Sequence, residues 1–219
     1  MILSPFTLLL VMLAFLAGLV LGALLDKHIL HRQHVGEAMV ANTIADRFHH
    51  PHTLLNNITI PINGDTTQID HVLVTDTGIF VIETKHYAGW IFGTPDDSTW
   101  TQVLYKSRHR FQNPLHQNQR HIRALQQLLP NLPLDAFHSL VVFTGNAQFK
   151  TNVGSQVLHL HSLIPFLEAY RPLRLDERQM AYVIGRIEMK RLRRSLETDE
   201  YHHNALRRRH PSPHCQPAH

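Results

Sequence analysis

The run Ile79–Ile82 (IFVI) is apolar on both faces of a strand, and Glu83-Thr84-Lys85 follows it directly. Strands that are buried on both sides show this nearly continuous hydrophobic pattern, and they lie in sheets covered on both faces. An acid and a base at the end of a buried strand are costly unless they are paired or used. The segment therefore predicts a strand in a sheet covered on both faces, as in an α/β fold, and it marks a candidate site where the strand ends.

A second strand, Gln68–Thr75 (QIDHVLVT), lies just before the first and is joined to it by Asp76-Thr77-Gly78. A connection this short that contains glycine favours an antiparallel hairpin. The two strands are therefore expected to be neighbours in the sheet, so that Asp70 comes close to the acid and base that follow the apolar run.

The hairpin register decides whether Asp70 shares a face with Glu83 and Lys85. A two-residue loop at Thr77-Gly78 pairs Asp70 with Lys85. The same register pairs Val72 with Glu83, and all three ionisable groups then lie on one face. A three-residue loop without a bulge would turn Asp70 to the opposite face, because a shift of one residue inverts the pattern.

Two carboxylates and an ammonium on neighbouring strands fit a site for a hard divalent cation. Mg²⁺ or Mn²⁺ prefers oxygen ligands and commonly binds one or two carboxylates together with waters and phosphate oxygens. Asp70 and Glu83 would be the ligands. Lys85 would stabilise an attacking hydroxide and the charge that develops on a phosphodiester. The alternative is a surface ion-pair patch on a solvated sheet face.

The segment Gly36–Phe48 has a helical period, with Val40, Ile44 and Phe48 on one side. Glu37 falls within the same arc and so points toward the core side of this helix. A carboxylate in that position could reach the candidate site. The alternative is that an acid in a first turn stabilises the helix dipole.

Other periodic segments complete an order of helix, strand meander, helix, two strands and two helices. Asn113-Pro114 is typical of a helix start, with Asn at the cap and Pro at the first position. The remaining predicted strands are 57–62, 89–93, 99–105, 139–144 and 156–160, and the remaining predicted helices are 115–129, 163–170 and 176–196.

An ordered set of short motifs runs along the chain: Gly36-Glu37, Gln68-Ile69-Asp70-His71, Gly78–Lys85, Trp100, Asn113-Pro114-Leu115 and Gln117. In this order and spacing the set resembles the NERD, or nuclease-related, domain, a branch of the PD-(D/E)xK restriction-endonuclease-like superfamily. The resemblance covers roughly residues 35–144. It implies a mixed central sheet flanked by helices, in a domain of residues 35–170.

The resemblance also implies roles for individual residues. Asp70 and Glu83 match the metal ligands of the family. The catalytic set that it implies is Glu37, Asp70, Glu83 and Lys85. Gln68 and Gln117 are candidate neighbours of the same site.

The N-terminal segment differs from the rest of the chain in hydrophobicity. The first 25 residues contain no charged side chain, and Phe6–Leu25 is rich in Leu, Val, Ala and Phe. About 20 such residues cross a bilayer as a helix. We therefore expect residues 1–26 to be an uncleaved transmembrane anchor that spans the membrane at 5–25, followed by a linker at 27–34. A cleaved signal peptide is the alternative, but its basic n-region is missing.

Charge next to the apolar run predicts its orientation. Lys27 and Arg32 follow the run and nothing basic precedes it, so the remainder of the chain is expected on the cytoplasmic side of the cytoplasmic membrane. Gly18 and Gly22 form a G-x-x-x-G that could pair two copies as a homodimer, although glycine is common in membrane spans.

The middle of the chain is basic: no aspartate or glutamate occurs between Asp97 and Asp135. This asymmetry favours an anionic partner such as nucleic acid, and the alternative is a solvated loop and helix face. The candidate nucleic-acid-binding residues are Lys106, Arg108, Arg110, Arg120 and Arg123. Further on, residues 171–198 are predicted as a basic amphipathic helix and 199–219 as a disordered tail.

Two function classes follow from these patterns. The first is a membrane-anchored, Mg²⁺-dependent nuclease that hydrolyses phosphodiester bonds of nucleic acid, with DNA as the expected substrate. The second is a non-catalytic module that binds nucleic acid or a protein partner on a nuclease-like scaffold. The single cysteine, Cys215, excludes a disulfide framework and a cysteine-based zinc site.

Overall fold

The computed structural model describes residues 5–62, 65–171 and 175–192, and at 5–11, 19, 21–30 and 32 it describes the backbone alone. These residues form four α-helices, nine strands and one 3₁₀ turn at Leu134–Ala136. The helices are α1 (Pro5–Arg47), α2 (Pro114–Leu128), α3 (Leu160–Ala169) and α4 (Glu177–Lys190). The strands are β1 (His52–Ile62), β2 (Asp65–Thr75), β3 (Gly78–Lys85), β4 (Gly89–Phe92), β5 (Thr99–Leu104), β6 (Ser107–Gln112), β7 (Phe137–Phe143), β8 (Ala147–Phe149) and β9 (Val157–His159).

The main sheet has the strand order β1-β2-β3-β7-β9. The first three strands are antiparallel, whereas β3, β7 and β9 are parallel, so the sheet is mixed. β3 occupies the centre, and its residues from Gly78 to Thr84 are all buried. The prediction of a central strand covered on both faces, from the run Ile79–Ile82, is confirmed.

Helices cover both faces of the main sheet. Ile79 and Val81 of β3 pack in one core cluster with residues of α2 and α4, including Leu125. Phe80 of β3 and Ile44 of α1 belong to a second cluster, to which α3 also contributes. Each of these large side chains contributes about 1.5–3 kcal/mol when fully buried. The predicted α/β architecture, a mixed sheet flanked by helices, is confirmed.

A smaller sheet has the strand order β6-β5-β4-β8. Trp100 and Phe111 on one of its faces pack with Val141 and Phe143 of β7. The sequence predicts β4 and β5, but not β6 or β8. β6 (SRHRFQ) contains a single apolar residue, Phe111, because one face of this edge strand is exposed, and so its pattern is too polar to indicate a strand.

Helix α1 is longer than expected. The sequence suggests a polar linker at 27–34, but in the structure these residues continue the helix, since no proline or glycine interrupts the segment. Farther along, Val40, Ile44 and Phe48 are buried as predicted. Within the part of the chain that the structure describes, no helix combines the length and hydrophobicity needed to cross a membrane.

The helix ends follow local signals. Asn113 caps α2 by accepting a hydrogen bond from the Leu115 N–H, and Pro114 is the first helical residue, as predicted. Asp176 and Gln179 form a reciprocal capping box at the start of α4. The basic end of the predicted C-terminal helix, from residue 193, and the predicted tail at 199–219 lie outside the described residues.

Candidate active site

The β2–β3 hairpin brings the candidate acids together, but in a different register from the expected one. The ladder pairs Thr75 with Gly78 and ends with His71 opposite Ile82, so the loop is Asp76-Thr77. The expected pairing of Asp70 with Lys85 is therefore wrong by two residues. A shift of two keeps every side chain on its face, so Asp70 still shares a face with Glu83 and Lys85.

Local chemistry at the turn explains this register. The Thr75 hydroxyl accepts a hydrogen bond from the Thr77 N–H and donates to the Gly78 carbonyl, at 3.1 Å each. Gly78 has φ +138° and lies against the side chain of His138, a position that favours glycine. Gly78 is thereby the first residue of β3 rather than part of the loop.

Asp70 lies where the two strands separate. One step past the last ladder pair, its Oδ2 accepts a hydrogen bond from the Thr84 N–H at 2.7 Å. A side-chain carboxylate thus bonds the β3 backbone at the point where the β2–β3 ladder stops. This contact anchors Asp70 beside Glu83 in the opening between β2 and β3.

Glu83 is the most enclosed member of the cluster, with its side chain 2% exposed. Lys85 Nζ lies 2.6 Å from Oε1, and His121 Nε2 lies 3.2 Å from Oε2. Burial alone would raise the pKa of Glu83, but Lys85 and His121 outweigh it and lower the pKa to about 2. Glu83 is therefore held as a carboxylate with both oxygens engaged.

Lys85 is held as a cation by the same contacts. Burial, the largest single effect, would lower the pKa of Lys85, but the charges of Glu83, Tyr87 and Asp70 and the hydrogen bond to Glu83 together outweigh burial and raise it. Its Nζ also donates to Gln117 Oε1 at 3.1 Å. The structure thus places Gln117 in the cluster, as a direct neighbour of the lysine.

His121 is a member of the cluster that the sequence reasoning missed. It is buried, and its Nδ1 lies 2.7 Å from Thr67 Oγ1 while its Nε2 faces Glu83. Because Gln117 and His121 are four residues apart, they occupy the same face of α2. This four-residue spacing is the sequence signal that identifies His121, because Gln117 is itself a predicted neighbour of the site.

Asp70 is the acid of the site whose charged form is disfavoured. Its pKa is raised well above the usual value, first by burial and then by the negative charges of Glu83 and Glu37, against smaller opposing effects of Lys85 and the Thr84 N–H. Two further carboxylates therefore act on Asp70, and Lys85 offsets their effect only in part. Such a group is stable only with a bound proton or a further cation.

Close packing of α1 against the main sheet positions Glu37. A β-carbon at Gly36 would lie 2.8 Å from Thr144 Oγ1 and 2.9 Å from His86 Cβ, so only glycine allows this approach. Oε2 of Glu37 lies 3.5 Å from His34 Nδ1 and makes no hydrogen bond within the described residues. The helix thus brings the Glu37 carboxylate close enough to raise the pKa of Asp70.

Two asparagines fix α2 to the sheets. The Asn118 amide donates to the Val81 and Leu140 carbonyls at 2.7 and 3.0 Å, and so spans β3 and β7. The Asn113 amide donates to three carbonyls of the β4–β5 turn, the closest being that of Asp97 at 2.6 Å. The helix that carries Gln117 and His121 therefore has a defined position over the end of β3.

The other candidate residues lie farther from the acids and lysine. Gln68 is opposite Thr59 in the β1–β2 ladder and makes no hydrogen bond to the cluster in the described structure. The basic residues are exposed or partly exposed on one turn, one strand and one helix. Lys106 is in the β5–β6 turn, Arg108 and Arg110 are on β6, and Arg120 and Arg123 are on α2. Their role in nucleic-acid binding stays a prediction.

The donors for a cation are carboxylate oxygens. As the side chains lie, no group of three His, Cys, Asp or Glu residues in the described ranges is close enough to hold a metal by itself. Mg²⁺ does not require such a group, because it commonly binds one or two carboxylates and keeps several waters. Asp70 and Glu83, with Glu37 nearby, are the residues that could hold it.

Comparison with known proteins identifies the family. The nuclease-related domain, NERD, matches residues 32–144, about half of the 219-residue chain. An uncharacterized protein of Bacillus anthracis is 33% identical over 172 residues, which are 74% of this chain and 79% of the relative. No significant match is found among solved structures. The matched range contains every member of the acid and lysine cluster. Because the family match covers about half of the chain, the chain belongs to the nuclease-related domain family.

Proposed function

We propose that this protein is a metal-dependent nuclease that hydrolyses phosphodiester bonds of nucleic acid, with DNA as the expected substrate. The observation that carries the proposal is the cluster at the end of β3, in which Glu83 pairs with Lys85 while Glu83 and Glu37 both raise the pKa of the buried Asp70. So much negative charge in a poorly solvated place is unfavourable for folding and is typical of a site that binds a cation. Membership of the nuclease-related family supports the same reaction class.

Mg²⁺ or Mn²⁺ is the cation that we propose, with Asp70 and Glu83 as ligands. The pKa of Asp70 is raised, and the buried Oε2 of Glu37 makes no hydrogen bond within the described residues. Both observations fit a site that binds a further cation. When bound, such an ion supplies an acidified water and offsets the charge of the scissile phosphodiester.

The protein groups around this site have separate tasks. Lys85 stays charged and donates to Glu83, and its ammonium can stabilise a nucleophilic hydroxide or the extra charge on the phosphoryl oxygens. Gln117 holds Lys85 from one side. His121 is bonded to Thr67 and Glu83, and so orients the Glu83 carboxylate.

We also propose that the main sheet has the restriction-endonuclease-like architecture of the PD-(D/E)xK superfamily. Its support is the arrangement of the acids: Asp70 lies on β2, and Glu83 and Lys85 lie on the neighbouring β3. A helix that carries Glu37 precedes these strands in the chain and packs on the sheet.

A non-catalytic binding module is the second candidate function. The observation that favours it is that both oxygens of Glu83 already contact Lys85 and His121, as in a purely structural ion-pair network. In that case the scaffold would bind nucleic acid through the basic residues of β6 and α2 without cleaving it.

Cleavage by the purified full-length chain separates the two functions. We expect nicking of supercoiled plasmid or breakdown of a labelled single strand with Mg²⁺ or Mn²⁺, and none with a chelator. A Lys85→Ala preparation, purified identically, is expected to be at least about a hundredfold slower and also reports contaminating nuclease. Equal cleavage by Lys85→Ala, or cleavage in chelator, would contradict the proposal. Salt-sensitive binding without any cleavage would support the module.

We further propose that residues 5–25 anchor the chain in the cytoplasmic membrane, with the remainder in the cytoplasm. Among these residues, Met12, Leu13, Phe15, Leu16 and Val20 have exposures between 53% and 70%. Contiguous exposed apolar side chains are typical of a membrane or protein contact. Pairing of two copies through Gly18 and Gly22 is part of the same proposal.

Vesicle flotation tests the anchor. The full-length chain is expected to float with phosphatidylglycerol-containing vesicles at high salt, and a variant lacking residues 5–25 is expected to stay at the bottom of the gradient. High salt removes electrostatic attraction of the basic residues to anionic lipid. If both proteins float, or neither does, the apolar segment is not the anchor.

A further inference from the structure

We propose that the outward face of the smaller sheet binds single-stranded nucleic acid, with bases stacked on Trp90 and Phe92 and phosphates held by Arg108 and Arg110. The inference rests on the proposed function, because it specifies which form of nucleic acid reaches the site. It depends on a different part of the fold from the acids and lysine, so it can be tested separately.

Strand pairing places these side chains on one face. Directly paired residues of neighbouring strands point to the same side of a sheet. Two parallel rows of paired residues cross β4, β5 and β6, namely Trp90–Val103–Arg108 and Phe92–Thr101–Arg110. The aromatic residues and the arginines therefore lie at opposite ends of the same two rows.

The aromatic rings on this face are open to solvent. Trp90 is 50% exposed and Phe92 is 37% exposed, whereas Ile91 between them is completely buried. The opposite face of the sheet packs on the core through Trp100 and Phe111. Single exposed aromatics are ordinary, but two at alternate positions of one strand lie side by side on one face of the sheet.

The charge of the face is complementary to a polyanion. None of the four strands contains an aspartate or glutamate. Lys150 lies with its Nζ 5.0 Å from the centre of the Trp90 ring, and Arg108 and Arg110 are exposed on β6. Arg110 is oriented by a hydrogen bond to Thr99 Oγ1 at 2.7 Å. Aromatic side chains beside cations are the composition that binds single strands without regard to sequence.

The stacking surface discriminates against duplex. Trp and Phe rings can stack on a base only when its face is free, which is the case in a single strand and not inside paired DNA. A duplex would meet the arginines and leave the aromatic half of the face without a contact. A protein partner would not require strands that contain no aspartate or glutamate, whereas a polyanion is favoured by their absence.

The face is connected to the candidate active site. Phe111, on the inner side of β6, packs edge-on against Tyr87 with ring centres 4.8 Å apart. Tyr87 lies within electrostatic range of Lys85, and β6 leads directly into α2, which carries Gln117. The smaller sheet therefore adjoins the candidate active site through its inner side, and β6, which carries both arginines, continues into the helix of that site.

Fluorescence anisotropy with a labelled oligothymidine and an equal-length duplex tests the inference. The full-length chain carrying Lys85→Ala is used in chelator, so that nothing is cleaved. We expect tighter binding of the single strand, weakened about tenfold or more by Trp90→Leu with Phe92→Ala. Arg108→Ala with Arg110→Ala is expected to lower the slope of log K against log salt by about 1.4.

Matched variants separate stacking from loss of fold. Trp90→Phe keeps a ring and should keep most of the affinity, but it should lose the quenching of tryptophan fluorescence on binding, since Trp100 is buried. Arg178→Ala with Lys190→Ala removes two exposed charges of α4 and should leave the single-strand preference unchanged.

Several outcomes would overturn the inference: equal affinity for duplex, no effect of Trp90→Leu with Phe92→Ala, or a protein ligand in place of nucleic acid on this face. Cleavage by the Lys85-containing chain is measured in parallel with Mg²⁺. If the Lys85-containing chain cleaves but Trp90→Leu with Phe92→Ala leaves the affinity for the single strand unchanged, only the inference is rejected. If the chain binds the single strand but does not cleave, only the nuclease assignment is rejected.

Discussion

An Asp70→Asn variant is expected to lose nuclease activity and to unfold at a higher temperature than the wild type. Asparagine keeps an oxygen for the Thr84 N–H, so the local bond survives. It removes a charge that burial, Glu83 and Glu37 all disfavour. The cleavage rate should fall at least about a thousandfold, because a metal ligand and its charge are lost together. Stability should rise by about 0.5–2 kcal/mol, the range common for a single stabilising substitution.

The pH dependence of this stabilisation has a definite sign. The pKa of Asp70 is raised in the folded protein above its ordinary value of 3.8. Its contribution to stability is therefore fully present below that value and is lost as the pH rises through the folded-state pKa. The gain from Asp70→Asn should be largest at pH 8 and shrink as the pH falls.

Thermal unfolding in chelator, from pH 8 downward, measures the gain. Adding Mg²⁺ should then raise the melting temperature of the wild type more than that of Asp70→Asn, because only the wild type keeps both proposed ligands. A variant that is less stable than the wild type at pH 8 would contradict the electrostatic description of the site.

Glu83→Gln is expected to have the opposite effect on stability, although it also abolishes cleavage. The substitution leaves Lys85, 11% exposed, without its counterion at 2.6 Å. Breaking a buried pair in this way costs about 3–5 kcal/mol. The lowering of the Glu83 pKa from 4.5 to about 2 corresponds to a similar amount, on the order of 3 kcal/mol.

Here the pH dependence is reversed. The folded-state pKa of Glu83 is depressed, so its stabilisation is present above the ordinary value of 4.5 and is lost as the pH falls toward about 2. Urea unfolding at pH 7 measures the difference between the variant and the wild type. A double variant, Glu83→Gln with Lys85→Met, removes the stranded charge and should recover much of the stability.

An exposed ion pair gives the control for Glu83. Glu188 on α4 and Arg191 at its C-cap are 2.9 Å apart, but their side chains are 38% and 41% exposed. Glu188→Gln should therefore change the stability by less than about 1 kcal/mol. If Glu83→Gln has no larger effect than Glu188→Gln, the pair at the end of β3 is not a buried pair in solution.

The two variants together distinguish roles that the acid and acid-x-lysine motif does not. In the sequence Asp70 and Glu83 are equivalent carboxylates on neighbouring strands. In the structure Lys85 and His121 lower the pKa of Glu83, while burial and the neighbouring carboxylates raise the pKa of Asp70. The protein thus keeps one acid whose charged form is disfavoured, at the position where the proposed function needs a bound cation.

Features that depend on residues close together in the chain could be predicted directly from the sequence. The run Ile79–Ile82 predicted a central strand, the short turn after Thr75 predicted a hairpin, and Asn113-Pro114 predicted the start of α2. Each depends on burial periodicity or on backbone bonds a few residues apart. The shared face of Asp70 and Glu83 also followed, because it depends only on whether the register is even or odd.

The sequence by itself determined the type of fold, the family motifs and the face on which the acids lie, since side-chain alternation and local capping encode these. Only the tertiary structure decided that the hairpin register shifts by two and that His121 contacts Glu83 across 38 positions of the chain. It also decided that the polar segment of β6 is a strand in the same sheet as two exposed aromatics. Such contacts join residues far apart in the chain, and their distances follow from the packing of α2 and the two sheets rather than from any local pattern.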